Sequence, residues 1–244
     1  MFAGYFDIFS WASPPASSIG TDIGCGSGRW AFLVAPRVGH PSLVDPSEDA
    51  LAVAGRNMAS AMNVSFHHAS VDASPFKEVS LDFAYSLGVL HHVPDTASAI
   101  FSIAQVLNPG APFLIDLYYA FDQRSWWFRA LWRASNAIRG CVCRMPIRLK
   151  NIVCEAIALI VYLPLARTGL LLDRLGMLPD AWPLANYRKR KYYVMRTDAL
   201  NRFGARLDQR FSREQIESVL RTAGFSDIRF SDAQPLWCAV GVKK

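Results

Sequence analysis

The stretch Thr21-Asp22-Ile23-Gly24-Cys25-Gly26-Ser27-Gly28 decides the fold of this 244-residue chain. Ile19–Ile23 predicts a strand that enters a glycine-rich turn, and a helix to about Val38 is expected to follow. Glycine lets a backbone approach a ligand closely, and a helix start offers free N–H groups to an anion. The stretch therefore predicts a turn that binds a nucleotide-like ligand, with an ordinary strand-to-helix turn as the alternative.

The residues after this turn alternate between strand-like and helix-like segments, which is typical of a parallel α/β sheet. A second strand is expected to end at Val44. Val64–His68, Leu81–Ser86 and Pro112–Leu117 predict three more strands. Ser47 and Thr96 are the expected N-caps of two of the intervening helices.

Regular signals return near the end of the chain. Ser212-x-x-Gln215 has the capping-box pattern, and Gly224 is placed to end the helix that follows. Ile228–Phe230 and Leu236–Val242 flank Ala233-Gln234-Pro235 and predict a closing hairpin.

Between Tyr118 and Leu200 the strand alternation stops, and Trp, Arg and apolar residues become frequent. This segment has 14 Lys+Arg and 5 Asp+Glu, whereas the rest of the chain has 12 and 15. All of the excess positive charge therefore lies in the middle of the chain. We predict a helical insertion over 118–200, a basic, aromatic-rich substrate cap, between core segments 1–117 and 201–244.

The composition of the chain indicates the cellular compartment in which it is expected. The five cysteines are odd in number and scattered, which favours reduced thiols in the cytoplasm over a disulfide framework. Cys141 and Cys143 form a lone C-x-C, which falls short of a zinc ligand set. The longest strongly apolar stretch, Ala156–Ala166, is shorter than the roughly 20 residues of a membrane span, so a span is not expected.

Two acidic positions could complete a nucleotide site. Asp45 lies 19 residues after Gly26, at the end of the second strand, where an acid can accept both hydroxyls of a ribose. Asp72 follows the third strand and could accept from an adenine amino group, while the backbone N–H of Ala73 donates to the ring. A capping or turn aspartate is the alternative at both positions.

Five runs in this order resemble the class I S-adenosylmethionine (SAM)-dependent methyltransferases, in the subgroup that acts mostly on small molecules and lipids. They are TDIGCGSG, VDPS, VDASPF, LDFAYSLGVLHHVPD and VLNPGAPFLID, and the later FSREQIESVLRTAGF is similar to that family's C-terminal helix. The resemblance covers about residues 19–117 and 211–242. It implies a Rossmann-like, mostly parallel α/β sheet with a C-terminal antiparallel hairpin, a helical insertion after the fifth strand, and SAM as the cofactor.

The resemblance also implies roles for single residues. The residues expected around the methionine part of SAM are Asp22, Gly24, Cys25, Gly26 and Gly28. Asp45 is expected at the ribose and Asp72 with Ala73 at the adenine. Ser86 and Leu87 are expected beside the methionyl amine and sulfonium. Arg29 could pair with the SAM carboxylate, although the family pattern does not require it.

The chain departs from the family in two places. Only 18 residues precede the first strand, where the family usually has a longer segment that covers the cofactor. Either Tyr5, Phe6, Phe9 and Trp11 form a shortened lid, or the sequence is truncated. The insertion is also long for this family.

His91 and His92 follow the fourth strand, near the expected acceptor. A general base is needed only for a hydroxyl or protonated amine acceptor, and either histidine could serve. A structural role for the pair is the alternative, because the family carries it across varied substrates. Asp72, Asp116 and the histidines form no recognisable ligand set, so no metal is expected.

The insertion is expected to cover the site of a small-molecule or lipid-like acceptor. Trp127, Leu131, Ala134 and Ile138 share one helical face, and Arg129 and Arg133 lie beside it. Such a face, with the basic run 188–191, is typical of peripheral contact with an anionic membrane, here at its inner face. The alternative is a cap whose apolar face packs on the core. Nucleic acid is not expected, since aromatic residues at helical spacing suit packing better than base stacking.

Two other functions stay open. A nicotinamide-dependent oxidoreductase uses G-x-G-x-x-G, whereas this chain has G-x-G-x-G followed by Arg29. A non-catalytic protein of the same fold could act as a binding or membrane-adaptor module.

Overall fold

The computed structural model describes residues 2–10, 16–120, 125–179, 182–204, 206–232 and 236–244. The chain divides into two compact units, a core unit of Met1–Asp122 with Gln209–Lys244 and a helical unit of Gln123–Asp208. The predicted insertion began at Tyr118 and ended at Leu200. The boundaries differ because Tyr118 still pairs in the sheet and the last helix of the helical unit continues past Leu200.

The core unit is built on one seven-stranded sheet of order β3-β2-β1-β4-β5-β7-β6. Its strands are β1 (Ile19–Ile23), β2 (His40–Asp45), β3 (Ser65–His68), β4 (Phe83–Leu87), β5 (Pro112–Tyr118), β6 (Phe225–Phe230) and β7 (Leu236–Lys243). β1 to β5 pair in parallel, and β7 pairs antiparallel to both β5 and β6. The predicted Rossmann-like sheet with closing antiparallel strands is confirmed, and the expected turn at 233–235 lies outside the described residues.

Helices cover both faces of this sheet. They are α1 (Phe2–Phe6), α2 (Ala31–Val34), α3 (Glu48–Asn57), α4 (Thr96–Val106) and α9 (Arg213–Thr222). The larger apolar cluster joins α4 and α9 to one face, through residues such as Ile103, Ile115 and Leu220. α1 and α2 pack on the opposite face against Phe83, Tyr85 and Leu114.

Local capping explains where most of these helices begin. The Ser47 side chain accepts from Ala50 N at the start of α3, and Ser212 and Gln215 form the predicted capping box of α9. The prediction that Thr96 caps α4 is wrong. Asp95 is the N-cap and accepts from Ser98 N, because the Thr96 hydroxyl is buried and donates to the carbonyl of Leu90 instead.

The helix after the glycine turn is shorter than expected. Its α-helical part ends at Val34, and a 3-10 turn, Ala35–Arg37, follows in place of a helix to Val38. Pro36 accounts for the change, because proline has no N–H to donate to the preceding turn.

The helical unit contains α5 (Trp126–Val142), α6 (Ile147–Ile157), α7 (Leu163–Arg174) and α8 (Tyr192–Gly204). A five-residue π-helical segment, Ala158–Tyr162, joins α6 to α7 without a break. The result is one 28-residue helix, Ile147–Arg174, hereafter the long helix, which is long and apolar enough to cross a membrane. No uninterrupted run of about 20 apolar residues marks this helix in the sequence, and the expectation that the chain has no membrane span stays a prediction.

A separate apolar cluster holds the helical unit together. Cys154, Ala158, Tyr162 and Ala166 recur at helical spacing along one face of the long helix. They pack with Met195, Ala199 and Phe203 of α8 and with Val142 at the end of α5. Each of these three helices therefore contributes an apolar face to a core that belongs to this unit.

Candidate cofactor site

The glycine turn is fixed to the end of β2 by its backbone. The N–H groups of Gly24 and Cys25 both donate to the carbonyl of Val44, at 2.8 and 3.1 Å. Asp45, the next residue of β2, accepts from Gly26 N at 2.8 Å with one carboxylate oxygen and from Ser47 N at 2.9 Å with the other. One carboxylate therefore joins the turn to the start of α3, at the carboxyl edge of the sheet.

The three glycines of the turn are required for different physical reasons, although all have positive φ. A Cβ on Gly24 would lie 2.4 Å from Val89, so no side chain fits there. A Cβ on Gly28 would lie 3.3 Å from Ala54 and Met58, which shows how closely the turn packs on α3. A Cβ on Gly26 would meet nothing within 4 Å. Only Gly26 therefore faces open space, where a ligand can approach its backbone.

The geometry of this turn fits a nucleoside cofactor such as SAM. Asp45 is almost buried, and each of its oxygens accepts one backbone N–H and keeps a lone pair for a hydroxyl donor. Gly26 leaves space directly beside that carboxylate. The sequence predicted from spacing that both residues contact the cofactor, and the structure joins them by a hydrogen bond.

A row of buried polar side chains crosses the sheet below this edge. Asp22 on β1 is in register with Tyr85 on β4, and Asp116 on β5 is in register with Leu87 and with Cys238 on β7. Burial raises the pKa of Asp22 to about 7, an effect partly opposed by the neighbouring Tyr85 hydroxyl. Burial also raises the pKa of Asp116 to about 7, partly opposed by its contact with Cys238 Sγ at 3.6 Å.

Asp116 is one of these buried polar side chains, and the sequence analysis considered it only as a metal ligand. The signal that could have identified it is a lone acid inside the apolar strand Pro112-Phe-Leu-Ile-Asp-Leu. Because side chains alternate along a strand, Asp116 shares the face of Leu114 that packs under α1. Its charge also helps burial to raise the pKa of Tyr5.

Of the N-terminal aromatic residues that the structure describes, Phe6 and Phe9 do not form the lid that one sequence interpretation expected. Phe6 and Phe9 are 3% exposed and pack against Tyr85 and Phe83, so they belong to the core. Tyr5 is half-buried against the Trp30 ring, at 4.8 Å between centroids. Trp11 lies outside the described residues.

The structure does not bring the other predicted cofactor-binding residues into an arrangement like that of Gly26 and Asp45. Asp72 is exposed on a 3-10 turn, and the Ala73 N–H already donates to the carbonyl of Ser70 at 3.1 Å. The Ser86 hydroxyl is fully buried and donates to the carbonyl of Ile23. The Arg29 guanidinium stacks over Trp30, 4.7 Å from the ring centroid. The roles of Asp72, Ala73, Ser86, Leu87 and Arg29 in cofactor binding stay predictions.

The two histidines occupy different environments. His91 is fully buried and stacks on Tyr118 at 3.7 Å between centroids, and burial lowers its pKa to about 3, assisted by the charges of His92 and Arg210. Neither His91 ring nitrogen has a hydrogen-bond partner among the described residues. His92, the next residue along the chain, is exposed at the carboxyl edge of the sheet. Among the two, His92 alone is accessible to a substrate.

Gln209 holds the histidine loop in place, and the sequence reasoning missed it. Its backbone N–H donates to the carbonyl of His91 and its side-chain amide to the carbonyl of Val93. No motif marks Gln209, since the contact joins residues more than a hundred positions apart. In the described part of the chain, no group of three or more His, Cys, Asp or Glu side chains is arranged to hold a metal ion.

Comparisons with known proteins agree with this geometry. Residues 21–110 match the family described as "Methyltransferase domain". The chain is 36% identical over 91 residues to the ubiquinone biosynthesis O-methyltransferase of Aromatoleum aromaticum. The aligned residues cover 36% of this chain and 39% of that protein. It is 35% identical over 120 residues to the 2-phytyl-1,4-naphtoquinone methyltransferase of Synechococcus elongatus, covering 46% and 51%.

A solved structure shows the same fold. The crystal structure of a SAM-dependent methyltransferase from Thermotoga maritima, a possible histamine N-methyltransferase, superposes with a TM-score of 0.52 at 16% identity. That likeness covers 100% of this chain and 90% of the other. The sequence matches to the two curated relatives, by contrast, span about half of their length or less.

Proposed function

We propose that this chain, whose residues 21–110 match a methyltransferase domain, is a class I SAM-dependent enzyme that transfers a methyl group from SAM to an oxygen of a small quinone-like acceptor. The observation that carries the proposal is the glycine turn. Gly26 faces open space and donates to Asp45, which keeps lone pairs for a ribose. Support for an oxygen acceptor comes from the Aromatoleum relative, which is named as an O-methyltransferase.

The residues of the chain divide the work between binding and positioning. Asp45 would hold the ribose hydroxyls, and Gly26 would admit the ligand to its backbone. Bound SAM supplies a methyl group already activated on a sulfonium. What the protein adds is alignment of the acceptor oxygen and exclusion of water, worth about 7–11 kcal/mol in well-oriented systems.

A hydroxyl acceptor must also lose its proton. His92 is exposed at the carboxyl edge of the sheet and fits the role of general base. His91 fits it less well, because it is fully buried and its lowered pKa keeps the ring a weak proton acceptor. We assign His91 instead to positioning, since it stacks on Tyr118 and its carbonyl accepts from Gln209.

The acceptor class is a finer part of the proposal. Both curated relatives carry quinone names, one for ubiquinone biosynthesis and one for a phytyl naphtoquinone. We propose a ring hydroxyl on a lipophilic acceptor, with the segment after β5 covering it. Ligands of such sheets lie beyond the carboxyl ends of the strands, which is the edge from which this segment leaves.

Two assays test the proposal. Calorimetry should detect binding of SAM and S-adenosylhomocysteine but not of NAD, and Asp45→Ala should weaken SAM binding by about 1–3 kcal/mol. Extracts of cells lacking the protein, incubated with protein and radiolabelled SAM, should yield a labelled, lipid-soluble product. SAM binding without transfer to any extract component would favour the non-catalytic alternative. NAD binding without SAM binding would favour the oxidoreductase.

We also propose that transfer needs no divalent cation, because alignment and one base account for the chemistry. Transfer activity in EDTA should equal that in buffer alone. Loss of activity in EDTA, restored by Mg²⁺, would overturn this part of the proposal and leave the methyl transfer itself intact.

A further inference from the structure

The long helix has an exposed apolar face that runs along most of its length. Only 22% of its most apolar 18-residue stretch is buried, far less than in the core helix of a soluble domain. Large apolar side chains project into solvent at Ile152 (66% exposed), Leu159 (54%) and Ile160 (71%). Exposed apolar surface on this scale marks a site of interaction.

The opposite face of the long helix packs against α8 and also carries polar contacts with it. Beside its buried contacts with α8, Glu155 accepts from the Tyr192 hydroxyl at 2.7 Å and pairs with Arg196 at 3.3 Å. α8 also carries Arg202, which pairs with Asp208. These charged groups would have to enter the hydrocarbon with the long helix if it crossed a bilayer, at high cost.

Cationic residues lie at the two ends of the exposed apolar face. Arg144 and Arg148 are exposed near its start, and Arg174 is exposed at its end. Long arginine side chains can keep their charge at the level of lipid headgroups while their stems cover apolar surface. This arrangement matches an apolar surface seated in a leaflet that carries negative charge.

The helix α5 repeats the pattern within the same unit. Trp126 is 76% exposed, Leu131 and Ile138 are also exposed, and Arg129 and Arg133 are exposed beside them. By contrast, part of the basic run 188–191 is committed inside the unit, since Arg188 and Lys189 both pair with Asp173. The lipid-facing charge is therefore better assigned to α5 and the ends of the long helix than to that run.

We propose that the long helix lies in the plane of an anionic membrane, with its Ile152–Ile160 face in the acyl region of one leaflet and α8 on the aqueous side. The occupant of the exposed face is thus a lipid surface rather than a protein. A helix that crosses the bilayer is excluded by the charges that α8 would carry inward.

Co-sedimentation with vesicles tests the docking. The protein should bind vesicles of phosphatidylcholine with phosphatidylglycerol but not phosphatidylcholine alone, and high salt should weaken binding. The double variant Leu159→Gln/Ile160→Gln should lower the bound fraction about tenfold. Its matched control, Met62→Gln/Phe101→Gln, changes two exposed apolar residues of the core unit and should bind like the wild type. Wild-type protein left in the supernatant at low salt, or equal losses in both variants, would overturn the proposal.

The orientation needs a separate measurement, which the cysteines make practical. Cys141 is the exposed cysteine and the other four are buried, so Cys141→Ser gives a background for labelling. Fluorophores on Ile152→Cys and Leu171→Cys would lie about 28 Å apart along the helix. Lipid quenchers placed at graded depths should report the same shallow depth for both labels. Clearly different depths would show a spanning helix, and unquenched labels would show that this face meets no lipid; either result overturns the proposal.

Discussion

The core unit and the helical unit differ in how their exposed apolar residues are arranged. In the core unit, the large apolar side chains that remain exposed are scattered singly, as at Met62 and Phe101. In the helical unit they recur along the long helix and α5, on faces opposite to those that pack. The core unit therefore leaves no continuous apolar face exposed among its described residues, whereas the helical unit does. Exposed apolar residues that recur along one face of a helix indicate a binding partner. Exposed apolar residues that are scattered singly do not.

The two units also differ in where they keep charge. In the core unit Asp22 and Asp116 are buried inside the sheet, with pKa values raised to about 7. In the helical unit Asp173 is paired with Arg188 and Lys189 near the surface, and these partners lower its pKa. The core should therefore lose stability as pH rises, and the largest expected effect tests this contrast.

Asp116→Asn should change how the free energy of unfolding depends on pH. The folded pKa of Asp116 lies above its ordinary 3.8, so the folded state holds the proton more tightly. Its contribution to stability is complete below about pH 4 and is lost as pH rises through 7. Asp116→Asn should therefore gain up to about 4 kcal/mol over the wild type between pH 4 and pH 9.

Denaturant unfolding at both pH values measures this difference. The matched control is Asp49→Asn, which changes an exposed acid of α3 and should leave the wild-type pH profile unaltered. Parallel profiles for Asp116→Asn and the wild type would mean that Asp116 is solvated in the folded protein.

The glycine turn offers a comparison within the core unit. Gly24→Ala forces a Cβ onto Val89 and should lower the free energy of unfolding by about 3 kcal/mol. Gly26→Ala meets open space and should cost only about 1 kcal/mol of backbone strain, yet lower SAM affinity at least as much as Asp45→Ala. Thermal melts with and without SAM separate the two effects. If Gly26→Ala binds SAM normally, the ligand does not approach that backbone.

Much of the core unit could be predicted from sequence because its signals are local. Strand and helix periodicity gave the order of elements, Ser47 and Ser212 marked helix starts, and the spacing from Gly26 to Asp45 identified a pair that the structure joins. The cap of α4 went to Asp95 because a buried carbonyl, Leu90, was available to Thr96. No local pattern reports such a competition.

The long helix escaped prediction for a different reason. Along the sequence, Glu155 and Arg167 interrupt the apolar run and leave only eleven uncharged residues between them. In three dimensions Glu155 turns toward α8, where Tyr192 and Arg196 satisfy it, so it does not interrupt the exposed face. A count of consecutive apolar residues misses this arrangement, because it does not distinguish the faces of a helix on which charged residues lie.

The smallest expected effect tests whether the exposed face of the long helix belongs to the fold at all. Ile160→Gln replaces a side chain that is 71% exposed and should change the free energy of unfolding by less than about 0.5 kcal/mol. The matched change in the core unit, Ile103→Gln, places an amide where 2% of the side chain is exposed and should cost about 3 kcal/mol or more. Denaturant unfolding of dilute protein without lipid measures both. A cost near that of Ile103→Gln would mean that Ile160 is buried in the folded protein, and the contrast between the two units would then fail. A near-zero cost, together with lost vesicle binding in Leu159→Gln/Ile160→Gln, would show that these residues act on a partner and not on the fold. That combination is expected because apolar side chains left in water add nothing to folding until a second surface covers them.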